Sequence, residues 1–348
     1  MEAEFIKEIV YRLSYWIQIV RFSTNGNQLL VEGYLRPGFT LGEIEREMRP
    51  VVKSIRQTPG FGVDIFTLEL SRPRVAIPHL NLILFLATIL TTLLAGALMQ
   101  GYNPFRAPLT LIHGFPFSLT LMSILGVHEL GHFLLARKHH VEATLPYFIP
   151  APTFIGTFGA FIKMRSPVQR REALLEIGAA GPLAGFVVAL PALFIGLYLS
   201  NIITVGPGPG IHLGDSLIMK IATHFIYPDL RPDQDILLHP VGFAAWIGML
   251  VTMLNLLPIG QLDGGHIAYA LLGRRAEKIA WLALTAALVL GIKSPNWLVW
   301  ALLVFFLVRV KHPPVYDETA PLRRRDYLIG IAALIIFILT FIPVPFKN

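Results

Sequence analysis

Residues Leu119 to Leu135 read LTLMSILGVHELGHFLL, and the few polar letters in this apolar run decide how the chain is to be understood. On a helix of 3.6 residues per turn, His128 and His132 lie one above the other on a single face, so their imidazoles can grip one divalent ion. Glu129 stands beside them, placed to take a proton from water at that ion. An HExxH pattern is short enough to arise by chance. Its setting argues against chance, because a charged or titrating side chain in hydrocarbon costs roughly 2.5 to 3.5 kcal/mol, and three in one span call for a shared ligand.

The surrounding composition is that of a membrane protein. Hydrophobic residues make up 54% of the chain and charged residues 15%, and apolar runs of about 20 residues recur. The clearest are Leu80 to Met99, Leu111 to Ala136, Ile177 to Ser200, Val241 to Leu257 and Tyr327 to Phe346. Two shorter runs, Ile279 to Ile292 and Trp297 to Val308, flank the breaker Ser294-Pro295-Asn296 and read as a helical hairpin. The expectation is a polytopic α-helical membrane protein with about six or seven membrane segments. There is no cysteine, so disulfides and thiolate ligands are excluded and any metal must take N and O donors.

A net charge of +7 invites a nucleic-acid reading, but the distribution of Lys and Arg points to the bilayer. With the N-terminus cytoplasmic, the inner segments carry Arg137, Lys138, Lys163, Arg165, Arg170, Arg171, Arg274, Arg275 and Arg323 to Arg325, while the outer ones keep Arg106, Lys220, Arg231 and Lys293. This bias fixes orientation and accounts for the basicity without a polyanionic partner. It also puts the metal residues in the inner half of their span. The acidic start, with Glu2, Glu4 and Glu8, does not read as a signal peptide. A multi-pass protein of a prokaryotic cell membrane is the simplest expectation.

The first 75 residues have a different texture. Ile17 to Thr24 and Asn27 to Tyr34 flank Asn25-Gly26, a hairpin signal. Thr40 and Glu43 form a capping-box pattern for a helix with Ile44, Met48, Val52 and Ile55 on one face, which Pro50 should kink or split, and Val63 to Leu70 reads as a third strand. The expectation for residues 1–75 is a small cytoplasmic α+β module of order ββαβ, followed by a multi-pass domain over 76–348 with its core at 111–272.

A hydrolytic metal site needs a third protein ligand and one open position. Asp263, in NLLPIGQLDGGH (Asn255 to His266), is the best candidate, since its span ends on the same side as the histidine pair. His266 competes for that place. Pro258, Gly260, Gly264 and Gly265 interrupt the helix there, as broken backbone does where it lines a polar cavity. Asn255 beside the metal could hydrogen-bond a substrate backbone or a developing oxyanion. His212, Asp215, His224, Asp229, Asp233, Asp235 and His239 fall on the external loop, and no second metal is expected there. His139 and His140 read as helix-end residues favouring the dipole and the interface.

HELGH at 128–132, IGAAGPLAG at 177–185 and NLLPIGQLDGG at 255–265, in this order, resemble the site-2 protease family of intramembrane zinc metalloproteases. The resemblance implies one zinc per chain held by His128, His132 and Asp263, with Glu129 as general base. It implies single-span or other membrane-protein substrates cut within a transmembrane helix in the lipid bilayer. It also implies a membrane-embedded re-entrant β-hairpin within Pro146 to Pro167, where Phe154, Gly156, Phe158, Gly159 and Ala160 would offer an edge to unwound substrate. IGAAGPLAG resembles the family's glycine-proline helix start, with Gly185 where an Asn often follows. The rival reading is a membrane metal-ion or proton transporter using the same four polar groups as a relay; the matched broken helices of paired repeats, which such transporters favour, are not evident.

Overall fold

The computed structural model describes residues 2–25, 28–49, 51–60, 62–70, 78–204, 212–308, 310–313, 315, 317 and 321–347. The chain divides into two compact units, Met1–Ala76 and Ile77–Asn348.

In the first unit, α1 (Glu2–Leu13) precedes β1 (Ile17–Asn25), β2 (Gln28–Leu35), α2 (Leu41–Met48), β3 (Val52–Thr58) and β4 (Asp64–Leu70). The strands form one antiparallel sheet in the order β1-β2-β4-β3. Its core joins Ile9, Leu13, Leu29, Val31, Ile44, Met48, Phe66 and Leu68. Thr40 and Glu43 do form the capping box that starts α2. The helix ends at Met48, and Val52 and Ile55, expected on its face, belong instead to a strand paired with β4. Their three-residue spacing mimics a helix, but both are β-branched and they follow a proline, which favours the strand. The order is therefore αββαββ rather than ββαβ. Gly26, Pro50 and Pro73, which carried the turn, kink and linker expectations, lie outside the described residues.

The second unit runs α3 (Pro78–Met99), a 3-10 turn at Pro108–Gly114, α4 (Phe115–Lys138), β5 (Tyr147–Pro150), β6 (Thr157–Phe161), α5 (Arg171–Tyr198), β7 (Asn201–Thr204), β8 (His212–Leu213), α6 (Leu217–Ile226) and β9 (Gln234–Leu237). It continues through α7 (Pro240–Asn255), α8 (Asp263–Leu272), α9 (Ala276–Gly291), α10 (Pro295–Leu303, extended by a π turn), α11 (Arg324–Thr340) and β10 (Phe346–Lys347). Among the described residues, three helical stretches, His79–Met99, Pro108–Lys138 and Arg171–Tyr198, are long and apolar enough to cross a membrane. The six or seven expected segments thus resolve into these three and shorter apolar helices. With 16 residues, α7 rises only about 24 Å against roughly 30 Å of hydrocarbon.

Two readings need correction here. IGAAGPLAG does not open a helix; α5 begins at Arg171 and carries Pro182 and Pro191 inside it. The segment 201–239, expected as a loop, holds β7, β8, α6 and β9, with β7 paired to β9 and β8 to β10. At the opposite end of the long helices, Lys138 Nζ and His139 Nε2 each lie 2.8 Å from Glu176. Arg325 pairs with Glu176 and Glu172, so the end of α4 and the starts of α5 and α11 are knotted together. His139 therefore has a specific partner beyond the helix-end role expected of it, and His140 takes the left-handed φ of 56° that ends α4.

Candidate metal centre

Helix α4 packs closely on α5, because Gly131 presents no Cβ to the carbonyl of Ala180; one would sit 2.6 Å from it. This close approach aims the histidine face of α4 at the middle of α5. His128, Glu129 and His132 are buried, at 4%, 5% and 7% exposure. The loop after α7 turns back through Gly260, at φ 54°. Gly264 and Gly265 lie against the carbonyls of Leu256 and Gly260, where a Cβ would come within 2.0 and 2.3 Å. That fold of the backbone places Asp263 in the first turn of α8, facing α4.

The three donor atoms close into a triangle. The Nε2 atoms of His128 and His132 are 3.2 Å apart, and each is 3.3 Å from Asp263 Oδ2. A tetrahedral ion with bonds of about 2.0 to 2.1 Å has edges of roughly 3.3 to 3.4 Å, so the triangle fits one face of a zinc-sized coordination sphere. The tautomer of His132 agrees with this. His132 Nδ1 lies 2.7 Å from the carbonyl of Ile177, an acceptor only; Nδ1 therefore carries the hydrogen and Nε2 turns its lone pair to the triangle. Among the described residues, the other acidic group of ligand-like spacing, Glu172, Glu176 and Asp326, is compensated by Lys138, His139 and Arg325.

His266 stands apart from the triangle. Its Nδ1 meets His312 Nε2 at 2.6 Å, and the His312 ring stacks on Tyr269. Asn255, the last residue of α7, brings Nδ2 to 3.4 Å from His128 Nε2, so it belongs to the site. The acids and histidines of residues 212–239 bring no such group together among the described residues; His212 and Asp235 form an exposed pair at 3.5 Å.

The segment 147–161 is an antiparallel hairpin, with Tyr147 facing Phe161 and Phe148 facing Ala160. Phe158, Gly159 and Ala160 are on β6, whereas Phe154 and Gly156 are in the turn. An irregularity gives β6 an extra residue opposite Phe148–Pro150, and Gly159 there adopts φ 99°. Strand β6 packs against α4. The hairpin thus abuts the helix that carries the HExxH motif.

Sequence reading passed over the glycines that make room for the two imidazoles. A Cβ on Gly181 would lie 2.0 Å from His132 Nε2, and one on Gly185 would lie 3.2 Å from His128 Nδ1. Position 185 is therefore backbone space for an imidazole. The contacts span 49 and 57 residues of sequence, and the only local signal was the small-residue run IGAAGPLAG itself.

Buried helices converging two imidazoles, a carboxylate and an adjacent acid define a metal centre of the metallopeptidase kind. The family description Peptidase family M50 matches residues 116–291, about half of the chain, and the chain belongs to that family. Among similar proteins, probable zinc metalloprotease EGY2, chloroplastic, of Arabidopsis thaliana is 34% identical over 236 residues, covering 67% of this chain and 42% of that protein. Probable zinc metalloprotease EGY1, chloroplastic, of the same plant is 32% identical over 242 residues, 66% of this chain and 43% of the other. The EGY3 counterpart of Oryza sativa subsp. japonica is 28% identical over 246 residues, 66% and 42% of the two chains. The chain thus spans well under half the length of these curated relatives. No solved structure matches. The names place those relatives in chloroplasts, at odds with the expected prokaryotic cell membrane.

Proposed function

We propose that this chain is a zinc-dependent endopeptidase that hydrolyses a peptide bond within or beside a transmembrane helix of membrane-protein substrates. The observation that carries the reading is the triangle of two Nε2 atoms and one carboxylate oxygen at 3.2 to 3.3 Å with a buried glutamate next to it. His128, His132 and Asp263 would hold the ion. When bound, zinc supplies Lewis acidity, polarising a carbonyl and lowering the pKa of water to about 7 in known sites. Glu129 accepts the proton of the attacking water and returns it to the departing amine. The amide of Asn255 is placed to hold a carbonyl oxygen of substrate or the charge that develops on it.

Substrate would lie along the hairpin, membrane-embedded and re-entrant, as a strand added to β6 near Phe158, Gly159 and Ala160, with Phe154 and Gly156 shaping the turn. Added backbone hydrogen bonds offset part of the cost of unwinding a helix in lipid. The end of α4 and the starts of α5 and α11, with Lys138 and Arg325, would lie at one face of the membrane, and the end of α11 at the other. A relay of the transporter kind gains no support, because the imidazole and carboxylate donors converge on one point instead of forming a file.

The test is reconstitution of the full chain with a single-span substrate, comparing native protein with Glu129→Gln. Cleavage should fall by about 10²-fold or more with metal content unchanged. Cleavage by the variant at the native rate would remove Glu129 from the chemistry.

A further inference from the structure

We infer that α6 is an interfacial helix, lying in the bilayer surface at the Tyr198 end of α5 with Leu217, Ile221 and Phe225 in the boundary between acyl chains and headgroups. The inference rests on the reading of α5 as a membrane span and goes beyond the proposed chemistry, in which α6 has no part. Helix α6 has 10 residues and rises about 15 Å, half of what a crossing needs. Ser216 Oγ accepts the Met219 N–H at 3.2 Å and starts it. One face is packed, with Ile218, Met219 and Ala222 buried in a cluster with Leu193 and Leu197 of α5. Just past the helix, Tyr227 Oη lies 2.6 and 3.0 Å from the carbonyls of Leu197 and Ser200. The helix therefore sits against the last turns of α5.

A second face is apolar and uncovered. Leu217, Ile221 and Phe225 recur every four residues and are 46%, 37% and 75% exposed. Lys220 and His224, both exposed, follow the same step in the row beside them. At 100° per residue the uncovered apolar row falls between the packed face and the cationic row. Water on all exposed sides leaves such a row without a partner. In the boundary the three faces meet protein, acyl chains and headgroup phosphates in turn, as an interfacial helix requires. The uncovered surface continues onto the turns of α5 that α6 rests on, where Ile195, Tyr198 and Leu199 are exposed, and a tyrosine at a span's end suits the interface. That continuity with the flank of a span, together with the cationic row, commits the face to lipid.

The chain has no cysteine, so Leu217→Cys, Ile221→Cys, Phe225→Cys, Lys220→Cys and Val187→Cys variants of the full protein can each carry one nitroxide in vesicles of phosphatidylcholine and phosphatidylglycerol. All five positions are exposed, which spares the fold. Depth is read from collisions with oxygen against those with a water-soluble nickel chelate, and Val187, well inside α5, reports whether that helix spans. Labels at 217, 221 and 225 should share a depth of about 5 to 10 Å, with the label at 220 nearer water. Leu217 and Phe225 are eight residues apart, about 12 Å of rise, so depths differing by that amount would mean an upright helix and overturn the inference. Labels at 221 and 225 as open to the chelate as that at 220, with Val187 in lipid, would overturn it too, since α6 would then lie in water. Shielding of the three from oxygen and chelate alike would replace lipid by a protein partner on this face. A Val187 label in water would instead remove the span reading, and the inference with it.

Discussion

Gly181→Ala is the sharpest perturbation the proposed metal centre offers, because one methyl group meets the His132 ring head-on. The added Cβ would lie 2.0 Å from His132 Nε2, 2.4 Å from Cδ2 and 2.6 Å from Cε1. Van der Waals contact requires the ring to retreat by more than about 1 Å. The ring cannot slide freely, since Nδ1 is held 2.7 Å from the Ile177 carbonyl on the same helix as the new methyl. Metal–ligand distances tolerate about 0.2 Å, so His132 ceases to be a ligand. The expected loss is at least about 100-fold in zinc affinity, the upper end of what outer partners alone produce, with overpacking costing about 1 to 3 kcal/mol of stability. Gly185→Ala is the graded comparison: its Cβ at 3.2 Å from the His128 ring asks for a shift of a few tenths of an ångström and a loss of about tenfold or less. Purified variants would be titrated with zinc against a chelator and analysed for bound metal. Gly181→Ala binding zinc within threefold of native, or binding it better than Gly185→Ala, would refute the placement of the imidazole against α5.

Three further outcomes are expected. Asp263→Ala should lose its metal while His266→Ala retains it, because the His266 ring is engaged with His312; metal analysis of the two proteins decides, and the reverse result would exchange the ligands. His239, whose Nδ1 accepts from the Val241 N–H at the start of α7, is held by burial below its usual value near 6.5. The folded protein then binds fewer protons than the unfolded one just below that value, so this contribution is complete above about pH 6.5 and is lost as pH falls toward the folded pKa; His239→Asn should keep the cap and flatten the change in melting temperature between pH 7.5 and 5.5. Arg171 donates to the carbonyls of Ala270 and Leu271 at 2.7 and 3.0 Å, closing the end of α8. Arg171→Met should cost about 1 to 3 kcal/mol, read as a lower denaturation midpoint, and an unchanged midpoint would make that contact incidental.

What the sequence disclosed follows the range over which each feature acts. HExxH is legible because its two imidazoles are one turn apart, and the capping box of α2 because Thr40 and Glu43 close on each other locally. The place of Asp263 became readable through the glycine-broken stretch after Asn255, where the chain has reason to bend. Helix α2 was extended too far because Val52 and Ile55 repeat at a helical interval while pairing, in fact, with Leu70 and Leu68 of β4. The same limit hid α6 within a polar, proline-punctuated segment, and it made Pro182 look like a boundary although packing against α4 carries α5 through it. Gly181 and Gly185 matter only through groups dozens of residues away, and no window along the chain brings those partners together.

The seat of His132 against Gly181 also says how portable this chemistry is. Five letters, HELGH, grafted into another apolar helix would carry two imidazoles and an acid but neither the bare backbone that admits one ring nor the Ile177 carbonyl that sets its tautomer. The smallest transferable unit is α4 with residues 177–185 of α5 and the stretch 255–266. A scaffold designer who copies less should obtain a helix that binds zinc loosely, through whatever water and stray carboxylate it can recruit.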